Sequence, residues 1–340
     1  MSQKHKHRGF VKAGETSFMK SLAKTYAPPT PAQLELVEVA TAIHEDPDAV
    51  ERGFMARQLV LCTLPHSDPG DVPQWTRRTS NAILGIMPGR DYEKNQSIGY
   101  PYGSIPRLLL FWITTEVQQT KNRQDLTTDE KRTLQLGRNL NDFMRAVGLS
   151  PNTGGGKRGA GKRLHNQMDR LFASQISFQQ TIDDGNHQGK RWLDMKVAPQ
   201  GELWWNPRTP DQGALWQSWI RLGAEFYNAL IALPVPVDMR ALRALKRSPL
   251  ALDLYAWICY RAFIIVQKNQ PPQFVAWEAL RRQLGTDYSD PKDFKKSAQA
   301  ALRKVSNLYP GLTLGKANGG FTLHAGRLAV PARDHVKLPG

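Results

Sequence analysis

One amphipathic segment near the C-terminus constrains the fold most. Its apolar residues recur at intervals of three, four and one, so they form a narrow stripe on a helix: Phe294, Ala298, Ala301, Leu302 and Val305. Asp290 and Pro291 predict where this helix begins, because a carboxylate caps the first backbone N–H groups and proline suits the first turn. Basic and amide side chains lie opposite the stripe. The segment therefore predicts a helix with one buried side and one basic side.

A hairpin is predicted directly after this helix, because Asn318-Gly319 is a strong turn signal between two alternating segments. The same order of elements occurs earlier in the chain: an apolar helix, a short strand, a short helix, a basic amphipathic helix over residues 157–172 and a hairpin over 174–197. This order is typical of a winged-helix unit. The sequence therefore predicts an α+β fold with two tandem winged-helix domains and a flexible basic N-terminal arm.

The repeated order also predicts where the domains begin and end. We expect a basic arm and short helix over residues 1–51, an N-terminal winged helix over 52–207, a C-terminal winged helix over 217–330 and a tail over 331–340. Thr30 is expected to cap the short helix in a capping box. Two β-favouring runs in the first domain, residues 54–64 and 81–87, are expected to pair with each other as strands.

The charge balance indicates a polyanionic partner. The chain has 46 Lys and Arg residues against 30 Asp and Glu, a net charge of +16, and each cation that neutralises a phosphate releases counterions. Nucleic acid is the first expectation. No membrane segment is expected, since no run approaches about 20 apolar residues. The two cysteines, Cys62 and Cys259, lie far apart and indicate neither a disulfide framework nor a zinc site, so a reducing cytoplasm is expected.

No motif predicts an enzyme. Residues 156–162 have the G-x-x-x-x-G-K spacing of a phosphate-binding loop, but Arg163 stands where Ser or Thr would bind Mg²⁺, and no buried strand precedes the loop. We expect these glycines to let a helix N-terminus approach a DNA phosphate instead. No paired histidines or nucleophile set occurs, and neither a cofactor nor a metal is expected. Some of the nine tryptophans could stack bases, although packing accounts for most tryptophans in any domain.

Three segments carry a resemblance to a known family. Residues 102–110, 139–144 and 163–172 read YGSIPRLLL, NLNDFM and RLHNQMDRLF. They resemble the RepA-type plasmid replication initiators, and the similarity covers about residues 80–270. The resemblance implies a bacterial cytoplasmic protein that binds directly repeated iterons at a plasmid origin and opens the adjacent DNA. It also implies that the protein recruits the host initiator and replicative helicase. Relatives repress their own promoter as dimers, which contributes to copy control, and initiate as monomers.

The resemblance assigns roles to the two basic helices. The C-terminal helix would read bases, through Lys292, Lys295, Lys296, Gln299, Arg303 and Lys304. The N-terminal helix would contact mainly phosphate, through Lys157, Arg158, Lys162, Arg163, Asn166 and Arg170. Lys190 and Lys316 would lie on the two wings. Asp169, on the exposed side of the N-terminal helix, is an unfavourable charge beside a phosphate.

Two alternatives stay open. A winged-helix transcriptional repressor without an initiator role would bind a promoter palindrome in place of direct repeats. An origin-nicking enzyme would need a catalytic set that the sequence does not display.

The resemblance and the charge balance together give the expected partners. These are double-stranded DNA, host replication proteins and a second copy of this chain in a monomer–dimer equilibrium.

Overall fold

The fold mixes helices with small antiparallel sheets. The computed structural model describes residues 28–79, 82–137, 139–151, 159–183, 185–204, 218–284 and 288–331. Its helices, in chain order, are α1 (Pro31–Glu45), α2 (Arg57–Leu61), α3 (Ser104–Thr120), α4 (Thr128–Arg132), α5 (Leu140–Ala146), α6 (Ala160–Phe172), α7 (Ala224–Ala232), α8 (Met239–Leu245), α9 (Pro249–Gln267), α10 (Trp277–Leu284) and α11 (Pro291–Asn307).

Its strands are short except for one long hairpin. In chain order they are β1 (Arg52–Ala56), β2 (Trp75–Arg78), β3 (Ala82–Met87), β4 (Arg90–Asp91), β5 (Gln96–Ser97), β6 (Thr133–Gln135), β7 (Gln175–Asp183), β8 (Gln188–Lys196), β9 (Gln200–Glu202), β10 (Trp219–Arg221), β11 (Pro234–Asp238), β12 (Gln273–Ala276), β13 (Leu312–Ala317) and β14 (Gly320–Ala325). The largest sheet has the order β2-β3-β7-β8, and the smaller ones are β6-β10-β9, β12-β14-β13, β1-β11 and β4-β5. The predicted α+β class is confirmed.

The local signals of helix α11 are confirmed. Asp290 is its N-cap, with the side chain accepting a hydrogen bond from the backbone N–H of Lys292, and Pro291 is its first residue. All five apolar residues of the predicted stripe are buried. At the other end of the chain, Thr30 and Gln33 form the predicted capping box of α1. These features depend on neighbours within one or two turns, which a sequence displays directly.

The expected pairing of residues 54–64 with 81–87 was wrong. Only β1 of the first run is a strand, the chain continues as helix α2, and β1 pairs with β11. Strand β3 pairs instead with β2 and β7. A continuous apolar run fits a buried strand and a buried helix equally well, so periodicity did not separate the two. Leu59 and Val60 are buried by the helical turn of α2.

The two regions repeat the order of their elements but not their strand pairing. In the C-terminal region β12 pairs with β14 of the hairpin that follows α11. In the N-terminal region β6 pairs with β10, and the hairpin of β7 and β8 extends a sheet begun by β2 and β3. The domain boundaries at 207 and 217 stay a prediction. Strands β1 and β11, which fall on either side of them, pair along their whole length.

Helix α9 is the central helix of the core. Twelve of its residues are buried, and it packs against α11, β11 and α2 among others. By length and composition alone it would be long and apolar enough to cross a membrane, with 67% of its most apolar window buried in the protein. Asp253 and Arg261 interrupt its apolar sequence, and the expectation of no membrane segment stays a prediction. Burial in a protein core gives a helix the same composition as burial in lipid.

A buried ion pair joins α9 to α3. Arg107 on α3 donates to both carboxylate oxygens of Asp253 on α9, at 2.7 and 2.8 Å. The same guanidinium donates to the backbone oxygens of Leu64, Pro65 and Gly103. Since both side chains are under a tenth exposed, the pair is stable only because nearly every donor has a partner.

His66 completes this buried network. Its Nε2 lies 2.8 Å from Asp253 and donates to it, while its buried Nδ1 has no hydrogen-bond partner among the described residues. Burial lowers the pKa of His66, because a second proton would place a charge and an unpaired N–H in the core. Desolvation of Asp253 is outweighed by Arg107 and by the hydrogen bond from His66, so the pKa of its carboxyl lies below the ordinary value. The network therefore contains one anion, one cation and a neutral histidine.

Asp253→Asn should lower the free energy of unfolding by about 3–5 kcal/mol, because it leaves the Arg107 cation buried without its counter-ion. Urea denaturation at neutral pH measures the change. Asp125→Asn is the matched control, because Asp125 pairs with Arg123 on the surface, where water screens the pair. The unfolding midpoint of this variant should barely move. Equal shifts in the two variants would contradict the structural role of the network.

Candidate nucleic-acid interface

The exposed side of α11 carries a row of cationic and amide side chains. Lys292, Lys296, Gln299 and Arg303 lie within about 60° of one another around the helix axis, on the side away from the buried stripe. Lys295 and Lys304 flank this row, and all six side chains are exposed. None of the six makes an ion pair or a side-chain hydrogen bond with a described residue. The positive charge of the five cations and the amide of Gln299 are therefore available to an external anion.

Helix α11 is held firmly at both ends. Asp290 caps the N-terminus, and next to it the rings of Tyr288 and Phe294 meet edge to face with centroids 5.7 Å apart. At the other end, His44 of α1 lies with Nε2 3.0 Å from the backbone oxygen of Asn307 and donates to it. A donor at this position satisfies one of the carbonyls that a helix C-terminus leaves unpaired. The exposed row is thus presented on a rigid support.

The hairpin after α11 carries Lys316. Strands β13 and β14 meet at the predicted turn of Asn318 and Gly319, where Gly319 has φ of +71°. Lys316 is exposed and lies directly opposite Phe321, whose buried side chain anchors the hairpin. A DNA contact by Lys316 on a wing stays a prediction.

Helix α6 has a second exposed basic side. Lys162, Arg163 and Asn166 are exposed, whereas Leu164 and Met168 are buried on the opposite side. Lys157 and Arg158 lie outside the described residues, as does most of the glycine-rich segment before them. Asp169 lies 3.1 Å from Nδ1 of His165 one turn earlier, so the anion noted in the sequence has a local partner.

Arg170 differs from the other predicted contacts on α6. Its side chain is 16% exposed, and one Nη donates to Asp68 at 2.9 Å and to the backbone oxygen of Tyr100 at 3.2 Å. Its guanidinium also lies 5.3 Å from the centre of the Tyr102 ring. A β-carbon at Gly99 would come within 2.9 Å of this group, so the position of the Arg170 side chain requires glycine there. A phosphate would have to compete with these intramolecular partners.

The four-stranded sheet adds a cation that sequence reasoning missed. Arg78 at the end of β2 is exposed and lines a groove of about 380 Å³ together with Lys190 on β8, the predicted wing residue. Neither side chain has an ion pair with a described residue. The alternation of exposed and inward residues in β2 was the signal that could have found Arg78.

Metal ligands and thiols were the other groups considered in the sequence, and the described residues locate them as follows. No three His, Cys, Asp or Glu side chains lie together there as a metal site. Burial raises the pKa of the Cys62 thiol to about 11 and raises that of Cys259 as well, which keeps both groups protonated near neutral pH.

The sequence places the chain in a known family. A family model described as plasmid encoded RepA protein matches residues 100–279, more than half of the 340 residues. The chain belongs to this family. The resemblance predicted from the sequence is thereby confirmed, and with it a role in plasmid replication. The matched region extends from α3 into the first turn of α10, so it includes α6 but ends before α11.

Two solved structures are similar to this chain, and no curated protein sequence matches it significantly. One is the crystal structure of selenomethionine derivatives of domains 2 and 3 of RctB, which is 10% identical, covers 76% of this chain and 94% of that chain, and has a TM-score of 0.45. The other, of RctB 155–483, is 11% identical, covers 76% and 92%, and has a TM-score of 0.41.

Two arginines of α6 should respond differently to mutation. Arg170→Ala should lower the free energy of unfolding by roughly 1–3 kcal/mol, because it removes a charged hydrogen bond to Tyr100 and the pair with Asp68. Arg163→Ala, an exposed change on the same helix, should leave stability unchanged and weaken duplex DNA binding. Thermal unfolding and gel shifts on both variants measure the two effects. A large loss of DNA affinity in a fully stable Arg170→Ala protein would show that Arg170 contacts DNA.

Proposed function

We propose that this RepA family member initiates plasmid replication by binding directly repeated duplex sites at an origin with two winged-helix units. The observation that carries the proposal is the row on α11, where four side chains of base-reading type project from one side of a firmly anchored helix. Family membership supports the replication role. The helix–helix–hairpin order around α10 and α11, with β12 paired to the hairpin, supports the winged-helix assignment.

The dimensions of α11 suit a major groove. An α-helix with its side chains is about 10–12 Å across, close to the groove width of about 12 Å. The row from Lys292 to Arg303 extends about 16 Å along the helix axis, or roughly five base pairs. Arg303 has the geometry to pair bidentately with guanine, and Gln299 with adenine. The flanking lysines would bind phosphates as point charges.

Helix α6 would serve as a backbone clamp. Lys162 and Arg163 lie in its first turn, where free backbone N–H groups and the helix dipole also favour a phosphate. Lys316 would add a phosphate contact from the C-terminal hairpin, whereas Lys190, the wing residue predicted on the N-terminal hairpin, lines the groove beside Arg78. These contacts carry no sequence information but fix the register of the protein on the duplex and make binding strongly dependent on salt.

The remaining parts of the proposal follow from the resemblance. The bound chain would open adjacent DNA, recruit the host initiator and replicative helicase, and repress its own promoter as a dimer. It would act without catalysis or cofactor in the bacterial cytoplasm. The net charge of +16 supports a polyanionic partner but says nothing about which of these steps the chain performs.

Footprinting on the DNA that flanks the gene tests the proposal. Iteron binding should protect tandem direct repeats at about 20-base-pair spacing, near two helical turns, so that each bound copy meets the same side of the duplex. Protection of one promoter palindrome alone would favour the repressor alternative. Incubating the same supercoiled DNA with protein and Mg²⁺, with and without ATP, covers the enzyme alternative, because nicked circles or ATP turnover would contradict a non-catalytic role.

Arg303→Ala should weaken binding to the protected site by about 1–3 kcal/mol and relax the preference at one base pair, because a bidentate base contact is lost. Lys162→Ala is the matched comparison: it should weaken all duplex sequences alike and reduce the salt slope by about one. Gel shifts on a set of single-base variants at several salt concentrations separate the two patterns. An Arg303→Ala protein with unchanged affinity and preference would rule out α11 as the base reader.

A further inference from the structure

The four-stranded sheet has one buried face and one open face. Strand residues alternate between faces, and Leu84, Ile86 and Ile176 point into the core with no exposed area. Residues on the other face are largely uncovered, and Trp192 is 65% exposed there. The indole of Trp192 is therefore accessible from solvent, with an apolar ring face that a planar ligand can stack on.

The strand register places this tryptophan in a defined row. Arg78 lies opposite Ile83, Ile83 opposite Gln179, and Gln179 opposite Trp192, so one residue from each of the four strands contributes to it. Lys190 lies in the next row, opposite Thr181. Directly paired residues share a face of an antiparallel sheet. The open face therefore combines an indole, an amide and two cations.

A groove runs beside this row. The hairpin of β2 and β3 ends at Arg78 and Ala82, while β7 and β8 continue past it, and the step between them holds the cavity of about 380 Å³. Its lining includes Arg78, Gln179, Thr181 and Lys190, and none of the described lining residues is a carboxylate. Among the described residues of the open face, the acidic side chains nearest to the groove are Asp194, one row beyond Trp192, and Asp183 at the hairpin tip. The groove is thus suited to an anionic ligand with hydrogen-bonding edges.

We propose that this open face binds single-stranded DNA, with a base stacked on Trp192 and the adjacent phosphates held by Arg78 and Lys190. Stacking on an exposed aromatic ring next to a cationic groove is the general mode by which proteins hold single strands. The glutamine and threonine side chains of the groove offer hydrogen bonds to base edges.

A duplex fits this face poorly. Four strands spaced about 4.8 Å apart make a row about 14 Å wide, which exceeds the major-groove width of about 12 Å. Bases inside a duplex are also stacked on each other, so their faces cannot meet an indole. The site is separate from α11 and does not require the proposed base reading. Only its use, holding one strand of an opened origin, rests on the proposed function.

Fluorescence anisotropy with a labelled 20-nucleotide single strand and with the footprinted duplex tests the proposal on the full chain. Trp192→Ala should weaken single-strand binding roughly 5- to 150-fold, the loss expected for one stacked base, and leave duplex binding unchanged. Arg78→Gln should reduce the salt slope for the single strand by about 0.7. Trp192→Phe, which keeps a ring, should retain most of the affinity.

Two controls match these variants. Trp204→Ala removes another exposed tryptophan, 53% exposed, outside the sheet, and Lys268→Gln removes an exposed cation at the end of α9. Neither should change single-strand binding, and thermal unfolding should be the same in all variants. Arg303→Ala should weaken the duplex alone, which distinguishes failure of this inference from failure of the proposed function.

Three results would overturn the inference. Wild-type protein that does not bind the single strand, or Trp192→Ala protein that binds it as tightly as Trp204→Ala protein, would exclude the site. Equal weakening of single strand and duplex by Trp192→Ala would make the face a duplex contact. A change of oligomeric mass in Trp192→Ala without DNA, measured by ultracentrifugation, would assign the face to self-association.

Discussion

The buried pair of Arg107 and Asp253 is the interaction on which the arrangement of the other elements depends. Placing two charges in a core costs several kcal/mol per ion unless geometry and hydrogen bonds offset the loss of water. Here the Asp253 carboxylate accepts two hydrogen bonds from the Arg107 guanidinium and one from His66. The remaining guanidinium N–H groups donate to the backbone of residues 64, 65 and 103. Such a network tolerates few alternative packings of α3 against α9.

Residues 63 and 64, beside this network, also fix the position of the helix that precedes α11. Arg77 of β2 is buried and donates to the backbone oxygens of Thr63 and Leu64, and also to that of Leu284 at 3.0 Å. Leu284 is the last residue of α10, the helix before α11. Thr63 bonds the same oxygen. Hydrogen bonds from Arg77 and Thr63 therefore hold the end of α10 next to the core network. Strand β2 carries the buried Arg77 and, one residue later, the exposed Arg78, so one strand joins the core to the open sheet face.

Short-range signals made much of α11 predictable, and long-range pairing made the rest unpredictable. The Asp290 cap, the apolar stripe and the Asn318-Gly319 turn each depend on residues a few positions apart. The partner of Arg170, by contrast, is Asp68, 102 residues away, and β1 pairs with β11 across about 180 residues. No periodicity reports such contacts. The exposure of Trp192 was hidden for the same reason, since it depends on which neighbouring strands cover which face of the sheet.

The family match and the α11 row fall in different parts of the chain. The stability cost of a substitution also differs between these two parts. Arg107 and Asp253 lie within the matched residues 100–279, and α11 lies beyond them. Removing either charge leaves the other buried without a counter-ion, which lowers the free energy of unfolding by several kcal/mol. The two residues of this pair therefore cannot be replaced one at a time. Exposed side chains on α11 contact no described residue through hydrogen bonds or ion pairs, and such positions usually alter stability by less than about 0.5 kcal/mol. The base reading proposed for α11 could therefore change its sequence preference without disturbing the core that holds the helix in place.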